Sequence, residues 1–243
     1  MSKVFGITSG KGGVGKSTCA IGLAAAFCSL GKRVLLVDMD EGLRCLDLML
    51  GIDRNAVFDL ADVLMGRELE DALYPCEQIE GLYLIPAPAK TGMIDAFSFT
   101  AFAEEAARKF DIVIFDFPAG INLMLYSCLP RNSLFITVAV PDPVSIRDAG
   151  TISRELGEKN LSAKLVINRF DYKQSRRHSF KNIDGIIDSS ALQLLGIIPE
   201  SGELLMLSVK HSINRRSKAA AAFKRIAHRL EGEHILLPKI KKI

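Results

Sequence analysis

A glycine-rich segment near the start of the chain, residues 10–17, has the residue types that bind phosphate groups. Its sequence GKGGVGKS fits the pattern G-x-x-x-x-G-K-[ST], with Gly10 and Gly15 at the fixed glycine positions and Lys16 and Ser17 at its end. Glycines let backbone N–H groups converge on phosphate oxygens, and a helix that begins there adds positive partial charge. The lysine can contact β- and γ-phosphates, and the serine hydroxyl can ligate Mg²⁺. The segment therefore predicts a nucleotide-binding loop.

The residues on both sides of this loop support that prediction. Residues 4–7 form an apolar run that is expected to be a strand, and residues 18–30 form an Ala-rich segment that is expected to be a helix. Strand, glycine-rich loop and helix in this order distinguish a phosphate site from a simple turn. We therefore assign nucleotide contacts to the whole loop: Gly10, Lys11, Gly12, Gly13, Val14, Gly15, Lys16, Ser17 and Thr18.

Two other apolar runs end in carboxylates, which can bind magnesium or orient water. Residues 34–38 end in Asp38, with Asp40 two positions later, and residues 112–116 end in Asp116. Ligands of open α/β sheets bind at the carboxyl ends of strands, so these carboxylates are expected beside the phosphate loop. Asp116 fits a Walker B strand, whose carboxylate holds Mg²⁺ through water. For Asp38 and Asp40, a solvated loop position is the alternative.

The alternation of short apolar runs with amphipathic segments predicts an α/β fold. Continuous apolar runs are typical of buried parallel strands, and parallel sheets carry helices on both faces. Together with the loop, this indicates a P-loop NTPase-like, mostly parallel twisted sheet flanked by helices on both faces. The predicted strands are residues 4–8, 34–38, 82–86, 112–116, 134–140, 164–168 and 196–198. The predicted helices are residues 18–30, 59–65, 99–109, 143–156 and 218–230.

Composition limits the class of protein further. The 243 residues are 49% hydrophobic and 24% charged, which indicates one domain with a large core rather than a disordered chain. The formal net charge of +3 does not require a polyanionic partner. None of the five cysteines forms a C-x-x-C pair, so we expect reduced thiols and neither an Fe–S cluster nor a zinc site. We expect no signal peptide, and no apolar run reaches the ~20 residues of a membrane span.

The segment KGGVGKST, residues 11–18, resembles the variant Walker A motif of the MinD/ParA family of deviant P-loop ATPases. Its distinguishing residue is Lys11, at a position where the general motif requires nothing. In that family the equivalent lysine crosses a dimer interface and contacts the nucleotide of the partner subunit. The resemblance implies an ATP-dependent homodimer that uses ATP and Mg²⁺, with Lys11 and Lys16 among its catalytic residues.

Residues 38–48, DMDEGLRCLDL, resemble switch I of the MinD branch of this family, D-x-D-x-G-L-R-N-L-D. ParA proteins more often carry D-x-D-P-Q at this position. The resemblance implies that Asp40 orients or activates the hydrolytic water, and that Asp38 supports this water and the metal. Cys45 stands where the family has Asn, which puts any contact made by that side chain in question.

Residues 116–121, DFPAGI, are similar to switch II of the same branch. Phe117 replaces the usual Ser and cannot hydrogen-bond a phosphate or a water, so coupling through switch II is expected to differ. Asn122 stands where an acidic residue is common. The metal contacts implied by the resemblance are Ser17, Asp38 and Asp116, with the carboxylates acting through water.

Two later strand ends resemble the adenine site of the family. Residues 165–170, LVINRF, include Asn168, which can both donate and accept a hydrogen bond, as reading an adenine edge requires. Residues 196–201, GIIPES, resemble the G-x-I-P-E-D segment whose backbone flanks the base. The implied nucleotide contacts are Asn168, Arg169, Pro199 and Glu200. Residues 141–149 resemble the P-x-x-x-S-x-R-D segment, in which Arg147 and Asp148 form either a surface pair or a partner contact.

Two basic clusters and the end of the chain bear on partners. The first cluster is Lys173, Arg176, Arg177, His178 and Lys181, and the second is Arg215, Arg216, Lys218, Lys224, Arg225 and Arg229. Each is either a solvated surface or, as in ParA-like relatives, a surface for non-specific DNA binding. In the tail, residues 233–243, Leu236, Ile240 and Ile243 share one helical face. The tail is either a weak amphipathic membrane-targeting segment or a strap packed on the core.

These features predict an ATPase domain, residues 1–232, followed by the tail. The resemblance implies a cytoplasmic MinD-like ATPase that dimerises with ATP at the inner face of the cell membrane, recruits division-site regulators and hydrolyses ATP to ADP and phosphate. The expected partners are a division inhibitor and an ATPase activator of the MinC, MinE or DivIVA-linked type. The main alternative is a ParA-like ATPase that partitions plasmids or cellular cargo on DNA. An iron-protein-type reductase is disfavoured by the cysteine spacing, and Phe117 leaves open a nucleotide-binding regulator without appreciable turnover.

Overall fold

The computed structural model describes residues 2–52, 56–175, 183–211 and 213–242, and these residues contain an eight-stranded sheet. The strands are β1 (Lys3–Thr8), β2 (Val34–Asp38), β3 (Tyr74–Pro75), β4 (Leu82–Ile85), β5 (Ile112–Asp116), β6 (Leu134–Ala139), β7 (Ser162–Phe170) and β8 (Gln193–Pro199). Their order across the sheet is β3-β4-β2-β5-β1-β6-β7-β8. The paired neighbours are parallel, except that β3 runs antiparallel to β4. The predicted fold class is confirmed.

Helices connect the parallel strands and cover both faces of the sheet. They are α1 (Lys16–Ser29), α2 (Leu46–Leu50), α3 (Leu60–Leu64), α4 (Ala96–Lys109), α5 (Leu123–Tyr126), α6 (Pro143–Glu158), α7 (Tyr172–Ser175), α8 (Ile183–Ser190), α9 (Gly202–Leu205), α10 (Leu207–Lys210) and α11 (Lys218–Leu230). Short 3₁₀ helices occur at Leu69–Ala72 and Ile240–Lys242. Within the described ranges, no helix has the length and apolar character needed to cross a membrane.

The central strands are buried because both sheet faces are covered. All residues of β2 and β5 are buried. On one face α1 packs against α11, and a Cβ added at Gly22 would lie 2.3 Å from the ring of Phe223, so the glycine permits this close approach. On the other face lies an aromatic cluster below α4 and α6, consisting of Phe99, Phe102, Phe115, Phe117, Tyr126 and Phe135.

The register of the sheet brings the predicted site residues to one edge. Asp116 of β5 pairs with Ile7 of β1 and with Asp38 of β2, so these three strands end at nearly the same level. The phosphate loop leaves β1 at this level, and β7, which carries Asn168, lies two strands away on the other side of β1. Loop, carboxylates and asparagine therefore meet at the carboxyl edge of the sheet.

The seven predicted strands and five predicted helices are all present. The strands at 34–38 and 112–116 and the helix at 218–230 have the predicted ends, and the others have shifted ends. The predicted strand at residues 164–168 extends over Ser162–Phe170, and the one at 196–198 extends over Gln193–Pro199. The helix predicted to begin at residue 99 begins at Ala96, because Asp95 caps it by accepting backbone N–H groups. The prediction lacked β3 and the helices α2, α5, α7, α8, α9 and α10, most of which are too short to show a helical period.

The end of the chain lies along α11 and β8. The guanidinium of Arg229 donates hydrogen bonds to the carbonyl of Ile235 and to the carbonyl of Leu195, both at 2.7 Å. Leu236 is nevertheless 75% exposed and Ile240 is 43% exposed, while Ile243 lies outside the described residues. The tail thus has a fixed first part and exposed apolar side chains beyond it.

The two predicted basic clusters are described to different extents. In the first cluster Lys173 is exposed, and Arg176, Arg177, His178 and Lys181 lie outside the described residues. In the second cluster four side chains are exposed and two are half-buried. The exposed ones are Arg215, Arg216, Lys218 and Lys224, and the half-buried ones are Arg225 and Arg229.

Candidate nucleotide-binding site

The phosphate loop has the backbone conformation that its glycines predict. Gly13 and Gly15 adopt positive φ angles of 75° and 90°, which glycine populates at little cost. Gly15 is the N-cap of α1, and it offers no side chain to bond the first N–H groups of the helix. Those N–H groups, with the positive end of the helix dipole, face the loop opening. This start of a 14-residue helix is suited to an anion such as phosphate.

The four glycines of the loop differ in what surrounds them. A Cβ added at Gly15 would lie 2.4 Å from Nδ2 of Asn168, and one added at Gly10 would lie 2.5 Å from Cβ of Asp148. A Cβ added at Gly12 or Gly13 would meet nothing within 4 Å. Gly10 and Gly15 are therefore required by packing, whereas Gly12 and Gly13 border open space in which phosphate oxygens fit.

Asp116 is buried beside the start of α1. One of its oxygens, Oδ1, has no hydrogen-bond partner, although the residue is only 2% exposed. Burial raises the pKa of this carboxyl to about 7, while a hydrogen bond with Ser17 and the charge of Lys16 act in the opposite direction. A buried carboxylate with a vacant lone pair next to a serine hydroxyl fits the needs of a hydrated Mg²⁺ ion.

Asp38 is also buried, and both of its oxygens accept backbone hydrogen bonds. Oδ1 accepts from the N–H of Asp40 at 2.9 Å, and Oδ2 accepts from the N–H of Leu46 at 3.1 Å. Burial raises the pKa of Asp38 to about 6 against the effect of these two donors. Asp38 therefore shapes switch I (residues 38–48) directly, and its oxygens retain lone pairs for a water. Asp40, the next carboxylate, is half-buried at the loop edge.

Across the described residues, no group of three or more His, Cys, Asp and Glu side chains could hold a metal ion alone. A magnesium ion at this edge would therefore depend on phosphate oxygens and waters for most of its ligands. That is the usual arrangement for Mg²⁺ in nucleotide sites.

Cys45 contacts the predicted metal ligand. Its Sγ lies 3.4 Å from the hydroxyl oxygen of Ser17. Burial, followed by the charge of Asp38, raises the pKa of the thiol to about 11, so it is neutral at physiological pH. The side chain that stands where the family pattern has Asn thus reaches Ser17, to which it offers a weak thiol donor.

Asn168 bridges β7 and the phosphate loop. Its Nδ2 donates a hydrogen bond of 2.8 Å to the carbonyl of Val14, and its Oδ1 is buried without a partner. Arg169 follows with a φ of 53° and an exposed side chain. Across the β7–β8 edge, Pro199 is buried, and the N–H of Glu200 bonds the carbonyl of Phe170 at 3.0 Å. The predicted adenine residues therefore lie on adjacent strand ends, and Asn168 has one acceptor left.

Lys11 is exposed at the tip of the loop, and its ammonium lies 3.4 Å from Oδ2 of Asp142. The other oxygen of Asp142 caps α6, accepting from the N–H groups of Val144 and Ser145. In the single chain the lysine is thus paired within its own subunit. Sequence reasoning missed Asp142, although an Asp directly before Pro143 is a recognisable N-cap signal.

Phe117 points away from the site. It is 1% exposed, and its ring lies 4.7 Å from the Tyr126 ring in an edge-to-face contact. Switch II is held here by other atoms: the Tyr126 hydroxyl bonds Thr8 and the carbonyl of Gly120, and the N–H of Gly120 bonds the carbonyl of Ser9. Asn122 caps α5 by accepting from the N–H of Leu125. Phe117 and Asn122, the two residues that depart from the switch II pattern, therefore make structural contacts.

The fold and this loop define the class of the protein: it is a P-loop nucleotide-binding protein with a parallel α/β sheet. The model of the CobQ/CobB/MinD/ParA nucleotide binding domain matches residues 5–212. The septum site-determining protein MinD of Bacillus subtilis (strain 168) is 35% identical over 258 residues, covering 100% of this chain and 94% of that protein.

Two solved structures agree with this match. The MinC:MinD cell division protein complex of Aquifex aeolicus has 33% identity and a TM-score of 0.89, covering 98% of this chain and 99% of that chain. MinD of Pyrococcus horikoshii OT3, complexed with Mg-ADP, has 27% identity and a TM-score of 0.82, and the match covers 95% of this chain and 96% of that chain. The chain belongs to the CobQ/CobB/MinD/ParA family of nucleotide-binding proteins, in its MinD branch of cell-division ATPases.

Proposed function

We propose that this chain is a Mg²⁺-dependent ATPase that works as an ATP-bound dimer in selecting the division site. The observation that carries the proposal is the buried Oδ1 of Asp116, which has no protein partner and lies beside Ser17 at the start of α1. An unpartnered buried carboxylate oxygen is costly, and a metal with its waters would satisfy it.

Each group around the loop has a role in this proposal. Lys16 and the N–H groups at the start of α1 neutralise and orient the triphosphate. Mg²⁺, when bound, neutralises phosphate charge, with Ser17 as a direct ligand and Asp116 and Asp38 as ligands through water. Asp40 orients the hydrolytic water in line with the γ-phosphorus, which is a positioning effect rather than strong base catalysis.

For the base, Asn168 has the suitable free atom. Because its Nδ2 is used by Val14, its Oδ1 remains to accept a hydrogen bond from an amino group such as that of adenine. In this proposal the base is flanked by Arg169 near the end of β7, Pro199 at the end of β8 and Glu200 directly after it. The preferred nucleotide in this proposal is therefore ATP.

Dimerisation in this proposal changes the partner of Lys11. The lysine leaves Asp142 and contacts the nucleotide phosphates of the second subunit. The Lys11–Asp142 pair is half-exposed, and exposed ion pairs contribute at most ~1 kcal/mol, so its loss is a small cost. We expect Lys11→Ala to bind ATP and to remain monomeric in light scattering with ATP, while the wild-type chain becomes dimeric.

The direct test of the ATPase proposal separates binding from turnover. Asp40→Ala should bind a fluorescent ATP analogue with near wild-type affinity, while phosphate release falls by about tenfold or more. Lys16→Ala should lose binding itself. Unchanged phosphate release in Asp40→Ala would remove Asp40 from the mechanism, and a wild-type chain without turnover would leave the nucleotide-binding regulator as the better description.

The cellular part of the proposal concerns surfaces and partners. The ATP dimer contacts anionic membrane through two copies of the tail, since the exposed Leu236 and Ile240 bind weakly alone and gain from avidity. A division inhibitor of the MinC type is the proposed partner, because a close structural relative is a MinC:MinD complex. A separate ATPase activator, of the MinE or DivIVA-linked type, is also proposed.

Membrane and DNA binding are separated by one set of measurements. Co-sedimentation with anionic liposomes and gel shift with double-stranded DNA are each measured with ATP and with ADP. We expect ATP-dependent liposome binding that disappears when residues 234–243 are removed, with little DNA binding. Salt-sensitive DNA binding without liposome binding would favour the ParA-like function, which the exposed basic residues of the second cluster allow.

A further inference from the structure

Glu41, the residue after Asp40, is bonded to a loop from a different part of the chain. Its carboxylate accepts hydrogen bonds from three consecutive backbone N–H groups: Gly92 at 3.0 Å, Met93 at 2.7 Å and Ile94 at 2.9 Å. The pattern that identifies switch I leaves this position open, and nothing in the proposed mechanism uses it. Three charge-assisted bonds to one side chain are strong and geometrically specific.

A second contact joins the same two segments. The N–H of Gly42 donates to the carbonyl of Pro88 at 2.9 Å, so neighbouring residues of switch I are bonded to both ends of the loop 88–94. Gly42 has a φ of 82°, and a Cβ there would lie 3.2 Å from Cγ2 of Thr91, so the approach is close. Four hydrogen bonds therefore join the two segments.

The loop 88–94 is itself fixed to the core. It leads directly into α4, whose first N–H groups are capped by Asp95, and α4 buries Phe99 and Phe102 against the sheet. On the other side, the carboxylate of Asp59 accepts from the N–H of Ala89 at 3.2 Å. Glu41 thus connects switch I to a firmly packed helix rather than to solvent.

Switch I has few other ties next to Asp40. The backbone N–H of Asp40 bonds Asp38, and its carbonyl accepts from the N–H groups of Leu43 and Arg44, all within the same segment. Leu43 is 75% exposed, so no apolar packing holds the tip of the segment. Before Asp40, Met39 is buried and its N–H donates to the carbonyl of Asp116 at 3.0 Å, so the contacts to the loop 88–94 are the external constraint on the backbone directly after Asp40.

We propose that Glu41 is a positioning residue for ATP hydrolysis: it holds Asp40 in place by fixing switch I to the loop 88–94. This inference rests on the proposed ATPase function. Glu41 touches neither nucleotide nor water in this role, and it acts through the backbone it shares with Asp40. Because effective positioning of water depends on small displacements, loosening this contact should slow turnover by about tenfold while leaving nucleotide binding in place.

The test compares three variants by steady-state ATPase kinetics. Glu41→Ala should lower kcat by about tenfold with KM for ATP little changed, since phosphate loop and base contacts are intact. Glu41→Gln should recover part of kcat, because its amide oxygen still accepts while its NH₂ group opposes one N–H. Asp95→Ala is the matched control: it removes a carboxylate that accepts two N–H groups next to the same loop, but it has no contact with switch I.

Two further measurements decide between positioning and general destabilisation. In an Asp40→Ala background, Glu41→Ala should cause no further loss of turnover, because both changes remove the same effect. Hydrogen exchange should become faster at residues 39–45 and 92–94 in Glu41→Ala, and it should stay unchanged in the central strands β1, β2 and β5. An equal fall of kcat in Asp95→Ala, or an unchanged kcat in Glu41→Ala, would overturn the proposal.

The outcome also separates this inference from the proposed function. A wild-type chain without ATPase turnover would refute the proposed function and the catalytic role of Glu41 together. The exchange measurement does not need turnover and tests the coupling alone. Faster exchange at residues 39–45 supports the coupling of switch I to the loop, and unchanged exchange there refutes it.

Discussion

Asn168, on β7, donates its side-chain amide to the main-chain carbonyl of Val14, 154 residues earlier in the phosphate loop, across 2.8 Å. Its nitrogen occupies space that Gly15 leaves free, since a Cβ there would lie 2.4 Å away. The phosphate loop and the end of β7, where we propose the contact with the base, are thus connected by a single buried side chain. A change at Asn168 should therefore affect both the fixed shape of the loop and the recognition of the base.

Asn168→Asp tests this connection with almost no change in volume. A carboxylate cannot donate to the Val14 carbonyl and would place negative charge beside another acceptor, so the hydrogen bond is lost and the pair repels. Loss of a buried hydrogen bond typically costs about 1–3 kcal/mol, and the same loss in binding free energy would lower nucleotide affinity about 5-fold to about 150-fold. Titration with a fluorescent ATP analogue measures it. Asn132→Asp, at an exposed turn, is the control, and an equal affinity in both variants would contradict the connection.

Gly15→Ala separates the packing of the loop from the conformational freedom of glycine. Alanine at a φ of 90° is strained, and its Cβ would also collide with Asn168. Gly31 has a φ of 77° with no atom within 4 Å of an added Cβ, so Gly31→Ala carries only the conformational cost. We expect Gly31→Ala to lose about 1 kcal/mol of stability and to bind nucleotide normally. Gly15→Ala should lose more stability and most of its ATP binding. Equal stability and equal ATP binding in the two variants would show that Asn168 can move away from the added methyl group, which would contradict the packing role of Gly15.

Phe117→Ser, which restores the residue usual in this branch, should destabilise this chain. The Phe117 ring packs with Tyr126 and Phe135, and Gly6 supplies the room, since a Cβ there would lie 3.2 Å from the ring. Removing a buried phenylalanine leaves a cavity and costs about 3–5 kcal/mol. Urea denaturation measures the free energy of unfolding. Phe97→Ser is the matched control, because Phe97 is 88% exposed and should lose little stability. A similar loss in both variants would contradict the packing role.

How far the sequence predicted this site depends on the kind of contact. The positions of Asp38 and Asp116 could be predicted because buried parallel strands end at one edge of a sheet, and β2 and β5 pair directly with Asp38 opposite Asp116. For Phe117 the sequence predicted a side chain that cannot hydrogen-bond in switch II, but it could not show that the ring packs against Tyr126. The contact of Glu41 with residues 92–94 could not be predicted, and neither could the contact of Asp142 with Lys11. These contacts join segments far apart in the chain, and side chain to backbone bonds leave almost no trace in a single sequence.

The buried carboxylates also predict how the nucleotide-free protein responds to pH. Burial raises the pKa of Asp116 from its ordinary value near 3.8 to about 7. A carboxyl whose pKa is raised in the folded state favours folding when it is protonated, below the unfolded value, and this contribution is lost as the pH rises through about 7. Asp38, with a pKa raised to about 6, acts in the same direction. The edge of the sheet where we propose the metal site is therefore a source of instability at neutral pH, which a bound cation would reduce.

Asp116→Asn should remove the larger part of this effect. Relative to the wild-type chain, its free energy of unfolding should increase as the pH rises from about 4 to about 7, by on the order of 1 kcal/mol for each pH unit, and the difference should level off at higher pH. Urea denaturation without nucleotide or Mg²⁺ measures the difference at each pH. Asp71→Asn, at an exposed position, should show no comparable trend. Mg-ATP should stabilise the wild-type chain more than the variant, since a ligand stabilises the state that binds it. A difference between Asp116→Asn and wild type that does not change with pH would mean that Asp116 is not buried in a costly ionised form.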